Sequence, residues 1–343
     1  MIRLPQFRYH RAASVRDAAA ALAGEGPGAI LLAGGTDLVP NLKRRQQTPA
    51  VVIGIRHLAE LRVSANGRGL TLGAALSLAD VADDPRVRAE YAALAKAAAL
   101  VATPHLRTMG TLGGNVCLDT RCNYYNQSFE WRQAIDFCMK APGATGGTAC
   151  TQPTGDAVCW VAPSSPRCWA VSSTDTAPAL LALGARATLV STAGEREIPL
   201  EDLYANDGMA YLTKRPDEVL TALRLPPLGE AWRSTYWKLR RRGAFDFPVL
   251  GVAAAVRFSI GNVVEEACVV LGAVASRPLV VPQAADLVGQ PLTDSVIRDF
   301  AESAAGLAKP MDNTDFTLSW RKKVAGSYIA GALKELRDES AKG

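Results

Sequence analysis

The sequence predicts an α+β protein of more than one domain, and three observations carry that prediction. Residues 1–55 alternate strand, helix, strand, loop, helix and strand, the order of a small α/β unit. Residues 56–225 mix a hairpin, alanine-rich helices and a long insert at about 116–170. Beyond Leu225-Pro226-Pro227, residues 226–343 show alternating or apolar runs of an antiparallel sheet, then two segments of helical period. A chain of 343 residues suits two or three such units better than one core.

Each element follows from local chemistry. Residues 7–10 read as a short strand, and Ser14 with Asp17 forms a capping box for an alanine-rich helix over 15–23. Residues 24–28 turn the chain into the apolar strand 29–32. A helix over 38–45 tolerates Pro40 in its first turn, and 51–55 is the next strand. Between 61 and 74 two strand-like runs flank Asn66-Gly67, a hairpin signal. Helices follow over 78–82 and 86–99, the second with Pro85 at its start. Residues 141–155 are rich in Gly, Thr and Pro, lack a period and read as an exposed loop. A helix over 177–183 is closed by Gly184, and 187–190 is a strand. Strands over 234–239, 251–258 and 267–273 precede helices over 294–307 and 320–336.

Composition narrows the function. An apolar fraction of 48% and a charged fraction of 21% are those of a globular protein, and the net charge of +5 is spread along the chain. Only Lys43-Arg44-Arg45 and Arg240-Arg241-Arg242 cluster, without the basic, aromatic-interleaved stripe of a nucleic-acid binder. No secretory h-region and no spanning apolar run occur, so the expectation is a cytoplasmic protein that binds neither membrane nor nucleic acid. In that compartment clustered cysteines point to metal or redox chemistry rather than disulfides.

Two glycine loops are the first candidates for binding. Ala33-Gly34-Gly35-Thr36-Asp37 lies between a strand and a helix; Thr111-Leu112-Gly113-Gly114-Asn115 is of the same kind. Glycine lets backbone approach a ligand closely, and a helix start offers unpaired N–H groups to phosphate. Neither loop is a Rossmann fingerprint or a P-loop. Together they can clamp the two phosphates of a dinucleotide; either alone is equally well a turn.

Six of the seven cysteines fall at 117–168, and Cys268 sits in an apolar run suited to core packing. Cys122, Cys138, Cys159 and Cys168 lie in a polar, loop-rich segment where thiolates suit zinc or an iron–sulfur cluster. There is no paired Cys-x-x-Cys knuckle and no histidine within the insert. A nucleophilic enzyme is the rival class, with Cys117 and His105 as its nearest candidates, but no Gly-x-Ser-x-Gly elbow occurs.

With these residues in view, the chain resembles the flavoprotein (medium) subunits of the xanthine oxidase family, which includes carbon monoxide dehydrogenase. The resemblance spans almost the whole length. It implies a two-part FAD-binding region, with a small α/β and a larger α+β part, followed by a C-terminal domain of antiparallel sheet with helices. It places Leu31, Leu32, Ala33, Gly34, Gly35, Thr36, Asp37 and Leu38 at FAD, together with Thr111, Leu112, Gly113, Gly114 and Asn115. Val101, Asp175, Leu220 and Lys238 complete that set. Asp175 is expected to accept from a sugar or ribityl hydroxyl, and Lys238 to favour the anionic reduced flavin.

Within the family, the run from Cys117 to Ser128 is similar to the β subunits of 4-hydroxybenzoyl-CoA reductases. That similarity implies a 4Fe–4S cluster held by Cys122, Cys138, Cys159 and Cys168. Cys150 is the spare thiol that can stand in for Cys159, and Cys117 packs beside the flavin. It also implies a small subunit with two 2Fe–2S clusters, a large molybdopterin subunit, a dimer of such heterotrimers and a reduced ferredoxin as donor. The implied activity is reductive removal of the phenolic hydroxyl of 4-hydroxybenzoyl-CoA, in aromatic degradation, with this subunit carrying electrons and no catalytic residue. The alternatives are a conventional hydroxylase flavoprotein passing electrons outward to NAD or another acceptor, and a zinc-binding interaction module without flavin.

Overall fold

Residues 8–54 form a three-stranded parallel sheet because the first two strands are each followed by a helix that carries the chain back across the sheet. The elements are β1 (Arg8–Arg11), α1 (Val15–Glu25), β2 (Ala29–Leu32), α2 (Leu38–Lys43) and β3 (Val51–Gly54). The sheet order is β1-β3-β2, so the fully buried β3 takes the centre. Ser14 Oγ accepts from the Asp17 N–H at 3.0 Å, the predicted cap. Asp17 turns back to the Ala13 N–H at 2.7 Å. Val15, Ala18, Ala19 and Leu22 of α1, at helical spacing, pack in one core with Val51 and Ile53. This computed structural model describes residues 2–141 and 158–341; the loop expected over 141–155, with Cys150, lies outside the described residues from 142 on.

The middle of the chain builds a five-stranded antiparallel sheet with helices on it. β4 (Ser64–Gly67) and β5 (Gly69–Gly73) form the hairpin. Its tight turn is centred on Arg68, with Gly67 paired to Gly69 and Gly69 at φ +94°, one residue beyond the expected Asn66-Gly67 centre. The helices are α3 (Leu78–Asp83), α4 (Pro85–Glu90), α5 (Ala92–Ala99), α6 (Pro104–Met109), α7 (Leu112–Val116), α8 (Phe129–Ala134) and α9 (Thr176–Ala182). The single helix expected over 86–99 is broken at Tyr91, which leaves helical backbone at ψ 50°. The buried Tyr91 places its hydroxyl on the Pro226 carbonyl at 2.8 Å, a tertiary bond that helical propensity does not contain. β6 (Arg186–Ser191), β7 (Gly194–Pro199) and β8 (Val219–Leu225) complete the sheet in the order β4-β5-β8-β6-β7.

The last part is a four-stranded antiparallel sheet: β9 (Trp232–Leu239), β10 (Leu250–Phe258), β11 (Val264–Gly272) and β12 (Leu279–Val280), in the order β12-β11-β10-β9. Two helices cover it, α10 (Asp294–Ala305) and α11 (Leu318–Ser340). The period of two decides both contacts: Val252, Ala254 and Val256 pack with these helices, while Ala253 and Ala255 pack with α5 and α9. The sheet thereby seals against the middle of the chain. Cys268 packs partly buried against that second core, as its apolar run suggested. Among the described residues no helix is long and apolar enough to cross a membrane.

Candidate functional site

The first glycine loop leaves β2 and enters α2. Gly35 sits at φ +72°, which favours glycine, and a Cβ on Gly34 would lie 2.1 Å from the Met109 carbonyl oxygen. The first glycine loop is therefore in backbone contact with Met109-Gly110, the turn that leads into the second. The N–H groups of the two loops differ. Those of Gly34, Gly35, Thr36 and Asp37 donate to no acceptor among the described residues. In the second loop Leu112 donates to Leu76 O at 2.9 Å, Gly113 to Ala74 O at 2.8 Å and Gly114 to Thr111 Oγ1 at 3.1 Å. Among the described residues the first loop offers a run of four free donors to an anion, whereas the second keeps only the Thr111 N–H free and supplies at Gly113 and Gly114 a wall without side chains.

Both loops border one cavity of about 480 Å³, within the range of cofactor sites. Leu31, Ala33, Gly34, Gly35, Thr36, Asp37 and Leu38 line one side. Thr111, Gly113, Gly114, Asn115 and Asp175 line another, with Val101 and Leu220 between. Three expected residues do not line it. Leu112 is core, Leu32 packs its side chain under Gly35, and Lys238 stands behind Asp175. Asn115 organises the second side: its Oδ1 accepts from Thr174 Oγ1 (2.8 Å), Thr176 N (3.1 Å) and Thr176 Oγ1 (2.7 Å).

Lys238 is neither exposed nor among the residues that line the larger cavity. Its ammonium is buried and donates to Asp175 Oδ2 at 2.9 Å and to Leu100 O at 3.0 Å. Tyr236 donates to Asp175 Oδ1 at 2.9 Å. Burial pushes the Asp175 carboxyl up and the Lys238 ammonium down, each opposed by its partner. Lys238 thus holds the carboxylate of a residue that borders the cavity, and its own charge is spent there.

The second site is the insert. Cys122, Cys138, Cys159 and Cys168 are buried and line one small cavity with Tyr125, Lys140 and Trp160. Burial pushes Cys122 up to about 11 and Cys168 up to about 12, and raises Cys138. Such thiols stay protonated unless a metal takes the proton's place. The space between them is about 10 Å³, that of one water. No trio of His, Cys, Asp or Glu among the described residues stands closed as a metal site. The donor set, four buried thiols around one cavity, is that of a soft metal centre or iron–sulfur cluster, although no trio of them closes on a single ion. Cys117 lines the larger cavity instead, as expected, and burial raises it to about 11.

Residues that sequence reasoning missed lie between and around the two cavities. Arg121, nearly fully buried, pairs with Asp37 and reaches Asn41 Oδ1 (3.2 Å) and Asn126 Oδ1 (3.1 Å), tying the first glycine loop to the insert beside Cys122. Lys140 donates to Asp119 Oδ1 at 2.7 Å and Gly208 O at 2.8 Å. Phe245 and Phe247 border the larger cavity from the loop after β9. An arginine directly before a candidate cysteine was the one available signal; the rest are set by loops that meet only in the fold.

A dinucleotide-sized cavity walled by two glycine loops, with an antiparallel sheet closing behind it, defines a cofactor-binding subunit. Residues 5–228 match the family described as the FAD binding domain in molybdopterin dehydrogenase, and 234–336 the CO dehydrogenase flavoprotein C-terminal domain. The chain belongs to this family of FAD-binding oxidoreductase subunits of the molybdenum hydroxylases. It is 30% identical over 336 residues to the aldehyde oxidoreductase FAD-binding subunit of Escherichia coli K12, covering 95% of this chain and 98% of that one. It is 27% identical over 332 residues to the carbon monoxide dehydrogenase medium chain of Hydrogenophaga pseudoflava, covering 96% of each. A solved structure of carbon monoxide dehydrogenase from the same organism has the same fold, with a TM-score of 0.78 and 24% identity over 97% of this chain and 98% of that one.

Proposed function

We propose that this chain holds two redox groups and passes electrons between them: FAD in the larger cavity and a 4Fe–4S cluster on Cys122, Cys138, Cys159 and Cys168. The observation that carries the reading is that one wall, built from Asp119, Tyr125, Lys140 and Tyr211, separates the two cavities. The free N–H groups of Gly34 to Asp37 take the pyrophosphate. Gly113 and Gly114 let the ligand approach the second loop, and Asp175, positioned by Tyr236 and Lys238, accepts a hydroxyl of the ligand. When bound, FAD supplies exchange of one or two electrons and the cluster exchange of one. In this reading residues 1–55 and 56–225 form the FAD-binding region, and residues 226–343 the closing domain.

The insert's likeness supports the finer reading, a molybdenum-containing 4-hydroxybenzoyl-CoA reductase. Ferredoxin is then the donor. The small subunit with two 2Fe–2S clusters and the large molybdopterin subunit are its neighbours, in a dimer of heterotrimers in the cytoplasm. The second reading, a hydroxylase flavoprotein passing electrons to an outside acceptor, is favoured by relatives named as dehydrogenases. Anaerobic purification with iron, sulfide, zinc and flavin assays is the first test, with about four irons per flavin expected for a cubane. Zinc in place of iron removes the cluster. Flavin exchange with NAD but not with reduced ferredoxin selects the second reading.

A further inference from the structure

We propose that the Asp119–Lys140 ion pair is an oriented charge pair in the wall between the two cavities, and that it raises the potential of the thiol site relative to that of the flavin site. This rests on the two-cofactor reading above. Lys140 lines the thiol cavity and Asp119 lines the larger one; neither borders both. Their side chains are 4% and 8% exposed, and the Nζ–Oδ1 distance is 2.7 Å. The pair therefore lies across the wall with its positive end toward the thiols and its negative end toward the flavin cavity.

The surroundings hold that direction. Lys140 Nζ also donates to Thr120 O at 3.2 Å, Thr120 Oγ1 and Gly208 O at 2.8 Å, and it stands over the rings of Tyr125 (4.6 Å) and Tyr211 (5.4 Å). Asp119 Oδ2 accepts from Tyr125 OH at 2.9 Å and from Gln47 Nε2 at 3.4 Å. A further ion pair among the described residues, Arg121 with Asp37, lies on the flavin side. A wall this dry screens charge poorly, so a dipole fixed in it acts on both sites. An added electron is stabilised beside the ammonium and opposed beside the carboxylate. As a stabilising element the pair is weak, because burying both ions offsets their attraction.

The test uses the complete protein, with any subunits that copurify, as wild type, Lys140→Met, Asp119→Asn, the double variant and Lys140→Arg. Iron, sulfide and flavin are assayed first; the potentials of thiol site and flavin are then titrated by electron paramagnetic resonance and absorption. The thiol-site potential minus the flavin potential, the gap read here, is expected to fall in each loss-of-charge variant, from its own end. Lys140→Met mainly lowers the thiol-site potential, and Asp119→Asn mainly raises that of the flavin. In the double variant, which removes both charges of the pair together, the equilibrium constant for one electron moving from flavin to thiol site falls about tenfold or more, about 59 mV for a one-electron couple. Lys140→Arg keeps most of the gap. An unchanged gap, or both potentials moving in parallel, with iron and flavin retained, overturns the proposal and leaves the pair a latch. A wild type without iron and sulfide overturns the cluster reading itself, and is seen before any variant is made.

Discussion

Replacing Lys238 by Met tests what this lysine does. The side chain is buried, and its removal leaves the Asp175 carboxylate with Tyr236 OH as its remaining hydrogen-bond donor. An unpaired buried charge costs about 3–5 kcal/mol. The variant can escape by protonating Asp175. From the ordinary value of 3.8, that costs about 4 kcal/mol at pH 7 and about 1.6 kcal/mol at pH 5, at about 1.4 kcal/mol per unit. These are ceilings, softened by Arg240, which shares the Leu100 carbonyl with Lys238 at 3.2 Å. The sign follows from linkage. With its folded value raised above 3.8, Asp175 contributes stability that is fully present below 3.8 and lost as pH rises through the folded value. The deficit of Lys238→Met therefore shrinks from pH 7 to pH 5. Asp175→Asn is the mirror case: it leaves a buried ammonium whose folded value falls below 10.5, so its deficit shrinks as pH rises. The assay is urea unfolding of wild type, both single variants and Asp175→Asn/Lys238→Met at pH 5, 7 and 9 with saturating FAD, read as midpoint differences. The double variant is expected to be less destabilised than either single. Equal deficits at all three pH values, or deficits below about 1 kcal/mol, would refute the uncompensated-charge argument.

Three further outcomes are expected. Gly34→Ala drives a Cβ into the Met109–Gly110 backbone and should cost about 1–3 kcal/mol and most of the flavin, whereas Gly114→Ala meets only Thr111 Oγ1 at 2.8 Å and should keep the fold with weakened FAD binding; thermal midpoints and flavin content separate the two. Cys150→Ala should keep about four irons per flavin while Cys159→Ala loses or depletes the cluster; the reverse pattern of iron content makes Cys150 the third ligand. Glu218, side chain buried, is held below the usual 4.5 by Arg196 at 2.6 and 2.9 Å, so its contribution is present above 4.5 and lost as pH falls below it; Glu218→Gln should lose about 1.5–3 kcal/mol at pH 7 and flatten the acid limb of the urea midpoint.

Much of the fold is local chemistry and was legible as such. The cap at Ser14, the apolar strand at 29–32, the glycine after α9 and the alternating strands of the last sheet each follow from residues a few positions apart. Elements decided by distant partners were not legible. Tyr91 breaks a helix for a carbonyl 135 residues away, and β8 slips between β5 and β6, a pairing no local signal encodes. The same division runs through the site. Residue types alone marked the two glycine loops and the candidate thiols. Which loop keeps a run of free N–H groups depends on Leu76 and Ala74 reaching the second loop, a tertiary contact. Lys238 read as a charge for the flavin because its sequence neighbours say nothing of Asp175, 63 residues earlier, which consumes that charge. Nothing local distinguishes Asp119 and Lys140 from other polar residues of the insert. Only the folding of that loop beneath Tyr211 and Gly208 buries them as a pair and gives the pair a direction, since burial and orientation belong to the three-dimensional wall and not to any stretch of chain.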